Sequence, residues 1–141
     1  MFKNVYIILL LAVVTVSCSI KKLEKKGVYK EVDASEYNRY VQDSSVQIID
    51  VRTQKEYEKS HIEGAENASY LSGNFEDIID SLSLDPSKTT LIYCETQHRS
   101  LFAAKKLYHK GFNNVIDLDK GMIHWRKTDM PYVSDSTNQE D

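Results

Sequence analysis

The sequence predicts an α/β fold in which helices on both sides flank a central, mostly parallel sheet, giving a three-layer arrangement. Short runs rich in β-branched and aliphatic residues, such as VQIIDV (46–51) and VIDL (115–118), are typical of strands buried on both faces. Stretches with helical spacing of apolar residues separate these runs. Strands that alternate with helices pair in parallel, with the helices covering the sheet. A chain of 141 residues has room for one such domain.

The predicted strands are short and spread along the chain. They are Val28–Val32, Val46–Val51, Ala65–Ala68, Thr89–Tyr93 and Val115–Leu118. In a parallel sheet, ligands bind beyond the carboxyl ends of the strands. The residue after each strand is therefore the first place to look for function.

Capping side chains mark where the predicted helices begin. Asp33 with Glu36, and Thr53 with Glu56, have the spacing of capping boxes, and Asn74 can cap a third helix. The predicted helices are one from Asp33, then Gln54–Lys59, one from Asn74 to Leu82, Ser100–Lys110 and Gly121–Lys127.

Composition excludes several classes of protein. Charged residues make up 28% and hydrophobic residues 41%, which is globular, and 5 Gly with 2 Pro exclude collagen-like and Pro-rich chains. The net charge of −3, with no long run of like charge, argues against nucleic-acid binding through a basic face. Two cysteines cannot build a disulfide scaffold.

The N-terminal segment is predicted to be an export signal. Lys3 is followed by the apolar stretch Val5–Val16. The uncharged residues run on to Ile20, which is still short for a membrane-spanning helix. The small residues before Cys18 resemble the lipobox of bacterial lipoproteins, although Thr15 stands where that family usually has Leu. This resemblance implies that Met1–Ser17 is removed, that Cys18 is acylated, and that the protein faces the periplasm or sits in the outer membrane. An uncleaved signal-anchor and a plain secretory signal are the alternatives.

The mature chain is predicted to have a tether, one domain and a disordered tail. The tether covers residues 18–27, the domain residues 28–133 and the polar tail residues 134–141. The tether carries four lysines, which either contact anionic lipid headgroups or are simply solvated. They are Lys21, Lys22, Lys25 and Lys26.

Cys94 is the leading candidate for chemistry. It ends a buried strand, and a short loop leads to Arg99 and the next helix. Loop amides, the helix dipole and the Arg99 charge favour the nucleophilic thiolate there and suit a small anion. A buried structural cysteine is the alternative, and the loop by itself does not decide between them.

Four motifs follow one another between Val28 and about Val133. They are Asp50-Val51-Arg52 with Glu56-Tyr57, His61-Ile62-Glu63-Gly64-Ala65, Cys94 through Ser100, and Leu118-Asp119-Lys120-Gly121-Met122 with Trp125. In this order they resemble the motifs of the rhodanese-like sulfurtransferase domain. The resemblance implies that the Cys94 thiolate takes the outer sulfur of thiosulfate or a persulfide and holds it as a persulfide. A thiol, cyanide or protein thiol would then accept the sulfur, without metal or organic cofactor, in a monomeric protein.

The resemblance also assigns roles to the residues around Cys94. Arg99 would bind the donor's anionic group or brace the loop. The residues expected to surround the donor are Glu95, Thr96, Gln97, His98 and Ser100. Glu95 is expected to oppose thiolate formation slightly, and His98 to contact a substrate or point to water. No Cys or His residues have the spacing of a zinc site.

Four polar residues outside the loop are predicted to support the fold. Arg52 would pair with Glu56, or Asp50 would hold backbone amides, because buried charges are normally paired. The resemblance implies that His61 is a structural turn residue. Asp50, Arg52, Glu56 and His61 are therefore structural candidates.

Two departures from the family leave three interpretations open. Gln97 and Lys120 stand where the family has glycine, and a positive φ at Gln97 would cost about 1 kcal/mol. The first interpretation is a membrane-tethered sulfurtransferase. The second is a non-catalytic module that binds a partner or senses oxidants through Cys94. The third is a thiol-based oxyanion reductase or phosphatase. The spacing argues against it, because four residues separate Cys94 from Arg99, whereas phosphatases with this loop have five residues between the cysteine and the arginine.

Overall fold

A computed structural model describes Cys18 and residues 20–135. The predicted signal peptide and residues 136–141 lie outside the described residues. The strands are β1 (Tyr29–Val32), β2 (Gln47–Asp50), β3 (Ser60–His61), β4 (Ala65–Asn67), β5 (Thr90–Tyr93), β6 (Val115–Leu118) and β7 (Val133–Ser134). The helices are α1 (residues 20–25), α2 (Ala34–Val41), α3 (Gln54–Lys59), α4 (Phe75–Ser81), α5 (His98–His109) and α6 (Gly121–Lys127), with a 3₁₀ turn at Tyr70–Ser72.

Five strands form a sheet in the order β1-β6-β5-β2-β4, and every neighbouring pair is parallel. Buried residues form one core cluster on each face of the sheet. Helices α1, α4 and α5 contribute to the first cluster, and α2 and α6 to the second. The predicted α/β fold with a parallel sheet between helices is confirmed. Because β5 lies between β2 and β6, Cys94 follows a central strand.

The caps explain why two helices begin where they do. Thr53 and Glu56 form the complete capping box at the start of α3, and the Asp33 side chain accepts a hydrogen bond from the Glu36 amide. Asn74 stands at the N-cap of α4 but makes no side-chain cap, so that prediction is wrong in its mechanism. The first turn of α4 is instead held by a backbone hydrogen bond, in which the Ile78 amide donates to the Asn74 carbonyl.

Both ends of the predicted domain are more extensively packed than the sequence suggested. In the predicted tether, residues 20–25 are helical, and Ile20 and Leu23 are buried in the core. Strand β7 pairs antiparallel with β3, so order extends through Ser134, one residue into the predicted tail. Periodicity within a few residues cannot reveal either contact, because the partners are distant in the sequence. No helix in the described residues is long and apolar enough to span a membrane.

Candidate active site

Cys94 lies directly after β5 and its side chain is fully buried. Its Sγ atom is 3.7 Å from the Ser100 hydroxyl, on the first turn of α5. The twelve-residue helix α5 begins at His98, two residues earlier than predicted. The thiol therefore lies beside the amino end of a helix, where partial positive charge favours an anion.

Gln97 adopts a left-handed conformation of the kind that glycine accepts most readily. Its φ is 73°, and it is the N-cap residue of α5 without a side-chain cap. The buried Nε2 of its side chain has no hydrogen-bond partner among the described residues. The loop thus keeps a turn suited to glycine while carrying a glutamine.

Thr96 and His98 form the outer side of the loop. Both are exposed, and Thr96 Oγ1 lies 3.1 Å from His98 Nδ1. The His98 side chain is exposed to solvent, and its contact with a substrate stays a prediction. Among the described residues, neither side chain forms a hydrogen bond with Cys94.

Arg99 braces the loop against α3. Its guanidinium donates to both oxygens of Glu56 at 2.7 Å, a bidentate pair that joins the starts of α5 and α3. This hydrogen bonding lowers the pKa of Glu56 to about 2. It is also the main reason that the pKa of Arg99 is raised. The sequence left open whether Arg99 binds a donor or braces the loop, and in this conformation it braces.

Arg52 is buried and pairs with other partners than Glu56, so the predicted Arg52–Glu56 pair is wrong. Its Nη2 donates to Asp50 Oδ2 at 2.6 Å, and its Nη1 donates to Glu95 Oε2 at 3.0 Å. Asp50 also accepts from the Arg52 backbone amide, as the alternative prediction required. The difference arises because α3 turns Glu56 towards Arg99, which is 43 residues away in sequence.

Glu95 is held between two arginines. Besides Arg52, Arg126 of α6 donates to its carboxylate. Glu95 was expected to oppose thiolate formation slightly, and in the fold its carboxylate is paired with these two cations. Glu95 instead connects β2, the loop and α6.

The start of α6 packs directly on the backbone of the cysteine loop. The Met122 amide donates to the Cys94 carbonyl at 2.8 Å, and the Ile123 amide donates to the Glu95 carbonyl at 3.2 Å. Gly121 has a φ of +62°, and a Cβ atom there would lie 2.4 Å from the Cys94 carbonyl oxygen. Lys120, the second departure from the family, is exposed with a φ of 59°.

His61 packs against Tyr57 of α3. Its ring stacks on Tyr57 with centroids 4.0 Å apart, and its Nδ1 is 2.9 Å from the Tyr57 carbonyl oxygen. These contacts are local to the turn after α3 and support the structural role implied for His61. A cleft of about 510 Å³ opens nearby, with Arg52, Lys59 and Arg126 in its wall.

Sequence reasoning missed Asp117, a fully buried residue of β6. Its Oδ2 is 2.8 Å from both the Ser100 hydroxyl and the Tyr29 hydroxyl. Burial raises the pKa of Asp117 to about 8. The available signal was an acidic residue inside the apolar run VIDL, where a charge has to be neutralised or paired. Within the described residues, no group of three or more His, Cys, Asp or Glu could hold a metal ion.

Comparison with known proteins identifies the family. The family profile described as Rhodanese-like domain matches residues 33–128, so the chain belongs to the rhodanese-like domain family. It is 34% identical over 100 residues to the adenylyltransferase and sulfurtransferase UBA4 of Meyerozyma guilliermondii, covering 68% of this chain and 23% of that protein. The chain therefore spans about a quarter of that relative.

Two further relatives match over most of their length. The thiosulfate sulfurtransferase GlpE of Pseudomonas fluorescens is 29% identical over 104 residues, with 74% of this chain and 92% of GlpE covered. The structure of a polysulfide-sulfur transferase homodimer from Wolinella succinogenes superimposes with a TM-score of 0.66 at 21% identity, covering 88% of this chain and 93% of that one. At that identity the likeness establishes the fold alone.

Proposed function

We propose that the protein is a sulfurtransferase that passes a sulfane sulfur from thiosulfate or a persulfide to a thiophilic acceptor. The observation that carries this proposal is the position of Cys94, between the carboxyl end of a central strand and the amino end of α5. Relatives named as sulfurtransferases support the same chemistry. A small sulfur compound is the donor, and a thiol, cyanide or protein thiol is the acceptor.

The proposed reaction has two steps at one sulfur atom. The Cys94 thiolate attacks the outer sulfur of thiosulfate, the S–S bond of thiosulfate breaks and sulfite leaves with the electron pair. The acceptor then attacks the outer sulfur of the Cys94 persulfide, and Cys94 leaves as the thiolate. With cyanide the product is thiocyanate. The partial positive charge at the start of α5 stabilises the anionic sulfur in both states.

The surrounding residues would hold this geometry and control access. Arg99 keeps the loop against α3 through Glu56, and the Ser100 hydroxyl oxygen accepts a hydrogen bond from the Cys94 thiol. Because Cys94 has no solvent exposure in this conformation, the donor reaches it only when loop side chains move aside. Thr96 and His98 form the exposed side of the loop and are the residues that a donor meets first.

The proposal also places the protein in the cell envelope. Acylation of Cys18 would anchor a monomeric domain to a membrane through the lipid. Cys18 is exposed, and the adjoining helix α1 is docked on the domain through Ile20 and Leu23. Labelling with a radioactive fatty acid in bacteria should mark the wild-type chain and leave Cys18→Ser unlabelled. Equal labelling of both chains would exclude Cys18 as the site.

Intact-mass measurement tests sulfur transfer directly. The full chain is incubated with thiosulfate and then with cyanide. We expect a gain of one sulfur atom that cyanide removes, which Cys94→Ser abolishes and the matched control Cys18→Ser retains. No gain with thiosulfate or a persulfide donor would contradict the proposal.

A second candidate is a non-catalytic module that binds a partner or senses oxidants. The complete burial of Cys94 and the engagement of Arg99 by Glu56 favour partner binding, whereas an oxidant sensor needs a thiol that oxidants can reach. Peroxide treatment separates the two functions. A sensor forms a sulfenic acid at Cys94, detected by dimedone labelling, without ever acquiring sulfur from thiosulfate, whereas a sulfurtransferase gives the persulfide.

A further inference from the structure

A chain of polar side chains leads from Cys94 into the interior of the domain. Cys94 Sγ is 3.7 Å from Ser100 Oγ, which is 2.8 Å from Asp117 Oδ2. The Tyr29 hydroxyl donates to the same carboxyl oxygen at 2.8 Å. Tyr29 lies in β1, Ser100 in α5 and Asp117 in β6, and Cys94 follows β5. The candidate nucleophile is thus connected to a fully buried carboxyl through one hydroxyl group.

The single proton of the Ser100 hydroxyl allows two arrangements of the hydrogen bonds that link Cys94, Ser100 and Asp117. The Ser100 oxygen is also 2.8 Å from the Gln97 carbonyl oxygen, which can only accept. A hydroxyl has one proton to donate. If Asp117 is ionised, Ser100 donates to it and accepts from the Cys94 thiol. If Asp117 is protonated, it donates to Ser100, and the Ser100 proton is free for the Gln97 carbonyl or for an anionic Cys94 sulfur.

The surroundings of Asp117 favour the protonated form. Its Oδ1 atom is buried and has no hydrogen-bond partner of ordinary geometry among the described residues, although the Leu118 backbone favours the charged form. A buried carboxylate oxygen without a partner is costly, and protonation lowers that cost by removing the charge. Burial also raises the pKa of Asp117 to about 8, which allows its charge to change in the pH range where thiols ionise.

We propose that Asp117 exchanges a proton with Cys94 through the Ser100 hydroxyl, so that the nucleophile and the buried carboxyl hold one proton between them. The S–H bond of Cys94 breaks and its proton moves to Ser100 Oγ, while the Ser100 proton moves to Asp117 Oδ2. The total charge stays the same. Asp117 then donates to Ser100, and Ser100 donates to the thiolate. Asp117 is therefore a positioning residue that acts through Ser100.

Other charged and titratable groups also face this pair. Glu31 of β1 and Tyr37 of α2 lie in the electrostatic surroundings of Asp117, and Arg99 of α5 in those of Cys94. Glu31 opposes ionisation of Asp117, and Arg99 favours the thiolate. Both effects move the shared proton from sulfur towards the carboxyl.

The rate at which iodoacetamide alkylates Cys94, measured from pH 6 to 11 on the full chain in a Cys18→Ser background, tests the coupling. Two groups that share a proton titrate in two macroscopic steps. We expect a two-step profile in the parent chain and a single step in Asp117→Asn, which reaches its plateau about one pH unit earlier. The matched control Asp119→Asn, two residues along, should retain the two-step profile. Identical profiles for the parent chain and Asp117→Asn would overturn the proposal.

Infrared spectroscopy gives a second readout that also applies if Asp117→Asn does not fold. The carbonyl stretch of a protonated carboxyl group should be present at pH 7 and titrate in the alkaline range. In Tyr29→Phe, which loses the donor to Asp117, this band should persist to higher pH. A carboxyl band that is absent at pH 7 would also overturn the proposal. The proposal rests on Cys94 as the nucleophile of the proposed function, but neither measurement needs a sulfur donor, so each can fail independently of sulfur transfer.

Discussion

The starts of α5 and α6 meet at Cys94, but they are held by different kinds of contact. The start of α5 is joined to α3 by the side-chain pair Arg99–Glu56. The start of α6 is joined to the cysteine loop by hydrogen bonds between backbone atoms. Both helices follow a non-glycine residue in the left-handed region, Gln97 or Lys120. A positive φ by itself costs a residue with a side chain only a modest amount of free energy. At Gly121 the backbone of the cysteine loop also lies in contact, which leaves no room for a Cβ atom.

The largest effect is expected at the backbone contact. In Gly121→Ala, the new Cβ would meet the Cys94 carbonyl oxygen at 2.4 Å, so the loop or α6 has to move. Overpacking and strain together should lower the free energy of unfolding by about 3 kcal/mol or more, measured by urea denaturation. Gly64→Ala is the matched control, because Gly64 also has a positive φ but has open space around it. Equal losses in the two variants would show that φ alone, and not the contact, sets the requirement.

An intermediate effect is expected at the two left-handed residues that follow β5 and β6. Replacement of either residue by glycine relieves its positive φ and should raise the free energy of unfolding by about 1 kcal/mol. Gln97→Gly should gain more than Lys120→Gly, because it also removes a buried amide without a partner. Thermal unfolding measures both. Gln97→Ala keeps the Cβ atom, so a gain as large as that of Gln97→Gly would contradict the role of strain.

The smallest effect is expected at the side-chain pair, and it depends on pH. The pKa of Glu56 is lowered to about 2 from an ordinary value of 4.5, chiefly by Arg99. Its stabilisation is therefore fully present above pH 4.5 and is lost as the pH falls towards 2. Since the pair is partly exposed, the loss should be below about 1 kcal/mol.

Comparison of two glutamate variants isolates that pair. Glu56→Gln should flatten the dependence of unfolding free energy on pH between 4.5 and about 2, relative to the wild-type chain. Glu63→Gln, at an exposed position of the following turn, should leave the dependence unchanged. The backbone contacts of α6 carry no titrating group, so acid should loosen the start of α5 first. If unfolding free energy changed with pH equally in the wild type and in Glu56→Gln, the Arg99–Glu56 pair would not be the source of acid sensitivity.

The elements of the fold followed from local patterns. The bounds predicted for β6, α3 and α6 agree with the structure, because alternation, capping boxes and helical spacing act within a few residues. The place of Cys94 at the carboxyl end of a buried strand followed from the same patterns, whereas the central position of that strand is known from the sheet order. The substitution of Gln97 for a family glycine raised the question of a positive φ there, and the structure answers it with a φ of 73°.

Contacts between distant residues depended on the assembled fold. The sequence paired Arg52 with its near neighbour Glu56, whereas the folded chain pairs it with Asp50 and Glu95. The sequence also did not predict that Ile20 and Leu23 pack in the core, or that β7 pairs with β3. Each of these contacts needs two segments that meet only after the sheet has formed.

The sequence by itself determined the succession of strands and helices along the chain, the parallel sheet and the cysteine that follows a buried strand, because these depend on short-range periodicity. Only the tertiary structure decided which charges pair around the thiol, that Gly121 touches the Cys94 carbonyl, and that Asp117 lies behind Ser100. The physical reason is that burial and hydrogen bonding between β6, α5 and the loop act across sequence separations that no local pattern records.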